Sequence, residues 1–327
     1  MIFNIKNNAF NDENKHSLNY MALASLRGRA FIDFNDEDST VQDWIDKNDP
    51  ELWTLIKEYT TTCKSNFKIE HQFEVVNNKE KDNWNLQYPI IKIEEAIKII
   101  DKPYEIWLEN GIDDRDFLLL LMAEEIKKYF LDKSDKNQII FVGKGGLGEI
   151  KKHIVSSKDK NHIKNKVFVI FDSDKNKKDN ISRQAKEVIE VCSENCLKHH
   201  CWNRRAIENY LPIEHLKNKL NKNDRDQKKY SAFLSMNQEQ KYYYHMKRGL
   251  KDTSCKNSGL YDNIEEMIRE NELYSGFGKG IFSKFIRLTN ENKNEDEIIR
   301  RLIEKKDSSL EIKNLIDNLL NFTRLPS

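Results

Sequence analysis

Between residues 103 and 212, short apolar runs alternate with longer stretches whose apolar residues recur three and four apart. Tyr104–Leu108, Gln138–Val142, Lys166–Phe171 and, more weakly, Leu197–Trp202 read as strands, and Asp114–Leu131, Leu147–Val155 and Ile181–Ser193 as helices. Strands joined by helix-length crossovers predict an α/β fold, a parallel sheet with helices on both faces. The first hundred residues are more mixed. Ser17–Leu26 and Glu51–Thr62 have helical spacing, the second just after Pro50. Phe67–Val76 alternates like a strand, Asn77–Asn85 is a polar loop, and Ile93–Ile100 is a helix halted before Pro103. Beyond Pro212 the chain turns charged and helical, with a polar linker at Asn221–Lys229, helices at Gln238–Leu250 and Asn263–Glu270, and two more across Glu295–Phe322. The expected organisation is a mixed α/β region over 1–102, a parallel-sheet domain over 103–212 and a helical region over 213–327.

Composition narrows this only a little. Of 327 residues, 38% are hydrophobic and 33% charged, enough apolar material for a core at this length. The formal net charge is +1, so any surface that attracts phosphates has to be local. No apolar run approaches the roughly 20 residues of a membrane span, and Met1–Asn11 lacks the basic-then-apolar layout of a secretory leader. Five cysteines, an odd number, suit a reducing compartment better than a disulfide scaffold. A cytoplasmic protein with no membrane partner is expected.

The chemistry lies just past the end of each strand, because ligands of parallel sheets collect at the carboxyl ends of the strands. After the first strand comes Glu109-Asn110-Gly111-Ile112-Asp113-Asp114, after the second Gly143-Lys144-Gly145-Gly146, after the third Asp172-Ser173-Asp174, and after the fourth Arg204-Arg205 with Glu208-Asn209-Tyr210. Two carboxylates one residue apart at a strand end can both turn toward a hard cation, and Mg²⁺ takes oxygen ligands while keeping several waters. Glu109 on a neighbouring strand would add a third carboxylate, able to ligate metal or exchange a proton. Taken alone, Asp172–Asp179 would serve equally well as a plain polar turn. It is the conjunction with Glu109 that favours a site.

A Glu after the first strand, a Gly turn after the second and Asp-x-Asp after the third resemble the Toprim pattern shared by topoisomerases, bacterial primases and the OLD-family nucleases. Glu109 through Leu118 resembles the Glu-Gly-x-x-Asp-x-x-Phe opening of OLD-like members, with Asn110 in place of the Gly and one extra residue before the second acid. Spacing from Glu109 points to Asp113 as that acid and spacing to Phe117 points to Asp114; Asp114 is preferred. Arg204-Arg205-Ala206-Ile207-Glu208-Asn209-Tyr210-Leu211 resembles the Arg-x-Ile-Glu-Asn-Tyr-Leu segment after the last Toprim strand, and Gly276-Phe277-Gly278-Lys279-Gly280 resembles a later turn that brings a lysine to the site.

The resemblance implies a nuclease using Mg²⁺, with Mn²⁺ able to substitute. Glu109, Asp114, Asp172, Asp174 and Glu208 would be the metal carboxylates, and Lys279 would offset phosphate charge. Arg204, Arg205 and Lys144 would contact a DNA or RNA substrate. It also implies a role in bacterial antiviral defence. OLD proteins carry an ATPase, and this chain has no Walker motif, so the ATPase would be a separate partner; self-association stays open. The alternative from another class is a non-catalytic binding or regulatory subunit of an ATPase-containing nucleic-acid complex.

Other signals weigh less. Gly143-Lys144-Gly145-Gly146-Leu147-Gly148 fits a dinucleotide fingerprint, but follows the second strand of the domain rather than the first. Cys192, Cys196, His199, His200 and Cys201 crowd together, yet no second cysteine pair completes a zinc site. Tyr242-Tyr243-Tyr244 among Lys241, His245, Lys247 and Arg248 suits either stacking on single-stranded nucleic acid or core packing, with packing the commoner outcome.

Overall fold

Ile, Phe and Val dominate four short strands near the N-terminus: β1 (Ile2–Ile5), β2 (Phe31–Phe34), β3 (Gln72–Val76) and β4 (Ile90–Lys92). In the computed structural model, which describes residues 1–66, 71–215, 224–289 and 295–324, they form a parallel sheet in the order β2-β1-β3-β4. Around it run α1 (Lys15–Leu26), α2 (Ser39–Asn48), α3 (Pro50–Asn66) and α4 (Ile93–Asp101). Asp38 starts α2 by accepting from the Thr40 and Val41 amides at 2.9 and 3.2 Å, the usual work of an N-cap carboxylate. Trp53 is fully buried and meets Phe10, Phe34 and Trp44 edge-on. Of this sheet, only β3 falls within an expected strand. Ile2, Phe3 and Ile5 are all buried, so β1 shows no alternation to detect. The expected strand at 67–76 is found as Gln72–Val76, and residues 67–70 lie outside the described residues.

The second sheet comprises β5 (Tyr104–Leu108), β6 (Ile139–Gly143), β7 (Val167–Phe171) and β8 (Lys198–Cys201), in the order β6-β5-β7-β8. All five residues of β7 are buried, as a central strand covered on both faces requires. One face packs on α7 (Leu147–Ser156) and α9 (Arg183–Glu194), where Ile150, Ile154, Val188 and Val191 meet Val167, Val169 and Phe171. Helix α8 (Lys160–Lys166) leads into β7.

The long helix expected over 114–131 is instead two, α5 (Gly111–Leu121) and α6 (Glu124–Asp135). Phe117 to Met122 are all buried, and Met122 is extended (ψ 139°), so tertiary burial stops the first helix and Glu124-Glu125 open the second. The expected linker at 221–229 is corrected too. Residues 221–223 lie outside the described residues, and α10 runs Asp224–Ser235, anchored by buried Tyr230, Ala232 and Phe233. Helix α11 covers only Gln238–Tyr243, because Tyr244 leaves in extended conformation and buries its ring. Further helices are α12 (Thr253–Lys256), α13 (Glu265–Glu270), α14 (Ile281–Thr289), α15 (Glu295–Lys305) and α16 (Glu311–Thr323).

Packing divides the chain into two compact units. One is Met1–Tyr104 with Ser134–Ile140 and the chain from Asp317 onward; the other is Glu105–Lys133 with Phe141–Ile316. The helices after Pro212, as far as Ile316, therefore belong to the unit that carries most of the second sheet. No helix among the described residues is long and apolar enough to cross a membrane.

Candidate metal and phosphate site

Strand order decides where a ligand can enter. The chain leaves β5 toward β6 on one side and returns to β7 on the other, so a crevice opens at the carboxyl ends of β5 and β7. These strands pair with Leu108 opposite Ile170, and Glu109 and Asp172 emerge next to each other. The Glu109 carboxylate reaches across: its Oε2 accepts from the Asp172 amide at 3.2 Å. Asp114, on the first turn of α5, accepts from the Asn110 amide at 2.8 Å, whereas Asp113 accepts from the Ser283 hydroxyl at 3.3 Å. From beyond β8, the Ile207 amide donates to Asp172 Oδ1 at 3.2 Å, which sets the buried Glu208 beside the same acids.

Their crowding shows in their proton affinities. Burial, with the Asp174 and Asp114 charges, pushes Glu109 up to about 7. Burial also carries Asp114 up to about 7, with Glu208 adding to it. Asp172 is raised well above the usual carboxylate range by burial and then by Glu109, Asp114, Glu208 and Asp174. Asp174 is raised by burial, against the opposing pull of Arg205. A set of carboxylates that raise one another is short of positive charge. Asp174 also holds a left-handed backbone (φ 49°), fixed by its amide donating to the Arg205 carbonyl at 3.0 Å.

Lys247 lies among these acids, its Nζ 2.7 Å from Glu208 Oε1. Burial alone would lower its pKa, but Glu208, Asp172 and Asp114 hold it above its ordinary value. The Gly276-Phe277-Gly278 turn serves this lysine. Phe277 and Gly278 donate to the Met246 and Lys247 carbonyls at 2.7 and 3.1 Å. The approach is so close that a Cβ on Gly276 would fall 2.7 Å from the Gly249 nitrogen. Lys279 itself is exposed at the end of the turn. Sequence reasoning missed Lys247, and its only trace was the basic run around Tyr242–Tyr244.

Beside Asp174 a polar cavity of about 500 Å³ is walled by Arg183, Arg205, His245, Arg248 and Asp252. Arg205 is nearly buried and donates to Asp252 Oδ1 and Ser254 Oγ, both at 3.1 Å. His245 is pushed down to about 4 by burial and the Arg205 charge, so its ring is neutral near pH 7. Arg204 points elsewhere. Its guanidinium lies between the Tyr210 and Tyr242 rings at 4.2 and 4.0 Å and donates to the Asn209 carbonyl at 2.8 Å. Lys144 Nζ sits 3.7 Å over the Trp107 ring, and burial lowers its pKa. The crevice thus gathers Glu109, Asp114, Asp172, Asp174 and Glu208, with Arg205 at its edge, while Arg204, Lys144 and Lys279 make contacts or stand apart from it.

The chain matches no family model, no curated protein and no solved structure.

Among the described residues, no three His, Cys, Asp or Glu side chains stand so as to hold a metal ion. In the cysteine–histidine stretch, Cys192 is buried and Cys196 exposed, His199 Nδ1 lies 3.1 Å from the Leu197 carbonyl, and His200 Nε2 lies 3.1 Å from Glu311 Oε1. The tyrosine run divides: Tyr243 and Tyr244 are buried, and Tyr242 is half-buried against Arg204.

Proposed function

We propose that this protein is a divalent-metal-dependent nuclease that hydrolyses phosphodiester bonds of DNA or RNA. One observation carries this reading: Glu109 and Asp172 leave adjacent parallel strands and touch, in a crevice where Asp114, Asp174 and Glu208 add carboxylates faster than the chain adds cations. An oxygen-rich pocket in which five carboxylates outnumber the nearby Lys247 and Arg205 suits a hard ion such as Mg²⁺, or Mn²⁺ in its place. Glu109, Asp172 and Asp174, whose carboxylates do not converge on one point, would have to close around it, with Asp114 and Glu208 behind them. When bound, such an ion supplies Lewis acidity toward phosphoryl oxygens and lowers the pKa of a nearby water. The chain's own groups do the remaining work. Lys247, fixed against Glu208, offsets negative charge building on the phosphate. The arginine-walled cavity beside Asp174 receives the phosphate, with Arg205 locked in place by Asp252 and Ser254. A Toprim-like nuclease without its own motor, working in antiviral defence with a separate ATPase, is what the sequence resemblance adds.

Lys247 also supports a second reading. A lysine 2.7 Å from Glu208 and coupled to Asp172 and Asp114 can stand in for a metal ion, which suits a non-catalytic module that binds nucleic acid. Plasmid nicking and RNA cleavage assays with Mg²⁺ or Mn²⁺ separate the two. The nuclease cuts at least one substrate and loses that activity in Glu109→Ala while the variant stays folded at the assay temperature. Wild-type protein that retains nucleic acid on a filter in EDTA, yet cuts neither substrate with either ion, sinks the nuclease in favour of the binding module.

A further inference from the structure

A second cavity, of about 410 Å³, is bordered by Arg204, Glu214, Lys241, Tyr242, Lys305 and Lys306. Four cations face one carboxylate, and that carboxylate is already engaged, since Lys306 Nζ donates to Glu214 Oε1. The local balance is strongly positive in a chain whose overall charge is +1. Burial lowers the pKa of Lys241, as does the charge of Lys306, against Glu214. An anion would relieve both. Leu211, Phe233 and Tyr242 add apolar and aromatic surface to the wall, and Tyr242 stacks on the Arg204 guanidinium. Rings and planar guanidinium groups are surfaces on which a nucleobase lies well. The volume falls within the roughly 300–1,000 Å³ usual for small-molecule pockets.

We infer that this cavity binds a nucleotide, its phosphate among Lys241, Lys305 and Lys306 and its base against Tyr242 and Phe233. It is a site separate from the carboxylate crevice and needs no divalent ion. The two are nonetheless linked by one short segment. Arg204 and Asn209 wall the nucleotide cavity, while Arg205 and Glu208 between them face the crevice. Asn209 ties that segment down, donating to the Lys241 and Tyr244 carbonyls at 2.8 and 2.9 Å. The nucleotide could be a free small molecule or one unit of a bound strand, and both present the same chemistry to the cavity.

Isothermal titration of the full chain in EDTA tests this, with adenosine 5′-monophosphate, inorganic phosphate and a 5′-phosphorylated trinucleotide as probes. Saturable binding of the mononucleotide is expected, weakened about tenfold or more in Lys241→Gln, the loss of one charged hydrogen bond. Equal affinity for mononucleotide and trinucleotide identifies a free nucleotide; a trinucleotide bound much more tightly identifies a strand. Should Lys241→Gln melt below the assay temperature, Lys305→Gln, at an exposed position, makes the same comparison. The inference is overturned if wild type binds none of the probes, if phosphate alone binds as tightly as the mononucleotide, or if neither lysine substitution lowers the affinity.

Discussion

The two sheets follow the same path and put opposite chemistry in the same place. Each runs second-first-third-fourth, so each has a crevice at the carboxyl ends of its first and third strands. In the N-terminal sheet the first strand is followed by Lys6 and the third by Asn77. Lys6 pairs with Glu74 at 2.7 Å, and Asn7 donates to Asp38 at 2.6 Å. Polar groups there find neutralising partners close by, half in solvent. In the second sheet the corresponding residues are Glu109 and Asp172, and their neighbours are further carboxylates. Topology provides a crevice twice, but only the residues at one of them leave charge unbalanced. Function follows the grafted side chains and not the path of the chain.

The sharpest way to break this contrast is to exchange effects between the two crevices. Glu109→Ala is expected to lower metal-dependent cleavage by about 10³-fold, within the range for a group acting on the reacting atoms. Lys6→Ala, at the matching place in the other sheet, should leave cleavage unchanged, since an exposed ion pair is worth only about 0–1 kcal/mol. Equal losses in both variants would mean the acidic crevice is not special.

Next in size is Gly143→Ala. A Cβ there would meet the Gly111 Cα at 2.6 Å and its nitrogen at 2.7 Å, forcing apart the turns that present Glu109 and Asp114. A loss of about 1–3 kcal/mol of stability is expected by denaturant titration, together with weaker metal-dependent activity.

Proton linkage gives a smaller effect. Glu109 and Asp114 move from 4.5 and 3.8 up to about 7, so the folded state holds extra protons between those limits. Their raised pKa values therefore erode stability as pH climbs from about 4 to about 7, and the loss is complete above that window. Metal-free protein should melt a few degrees lower at pH 8 than at pH 5.5, and Mg²⁺ should restore the difference at pH 8. A Glu109→Gln/Asp114→Asn double variant should lose most of this slope. A wild-type melting temperature that rises from pH 5.5 to 8 in EDTA would contradict this electrostatic picture.

The smallest effect is expected from Lys279→Ala. Its side chain is exposed, and activity should stay within about twofold, as for most surface substitutions. Lys247→Ala, which removes the cation held by Glu208, should cost far more; kinetics of the pair rank the two lysines directly.

Much of the second sheet was legible because each of its strands is an apolar run set off by turn residues, and Tyr104–Leu108 was placed to the residue. Glu109 and Asp172 could be paired in advance because a parallel sheet aligns its strand ends. Of the N-terminal sheet only β3, which alternates, was legible; β1, β2 and β4 escaped because strands of three or four residues are too short to show a period. Lys247 escaped for a different reason. Its place depends on a backbone contact with Gly276–Gly278, some thirty residues on, and no local pattern encodes such a pairing. The same turn drew attention to Lys279, although what it contributes is a brace for another lysine.

The link between residues 172–174 and 204–207 has a mechanical consequence. Ser173 Oγ donates to the Arg204 carbonyl at 2.7 Å, the Asp174 amide to the Arg205 carbonyl, and the Ile207 amide to Asp172 Oδ1. Sutured at three points, these loops have to open together. Their amides should exchange with solvent as one cooperative block, so that whatever clamps the second loop also quiets the first.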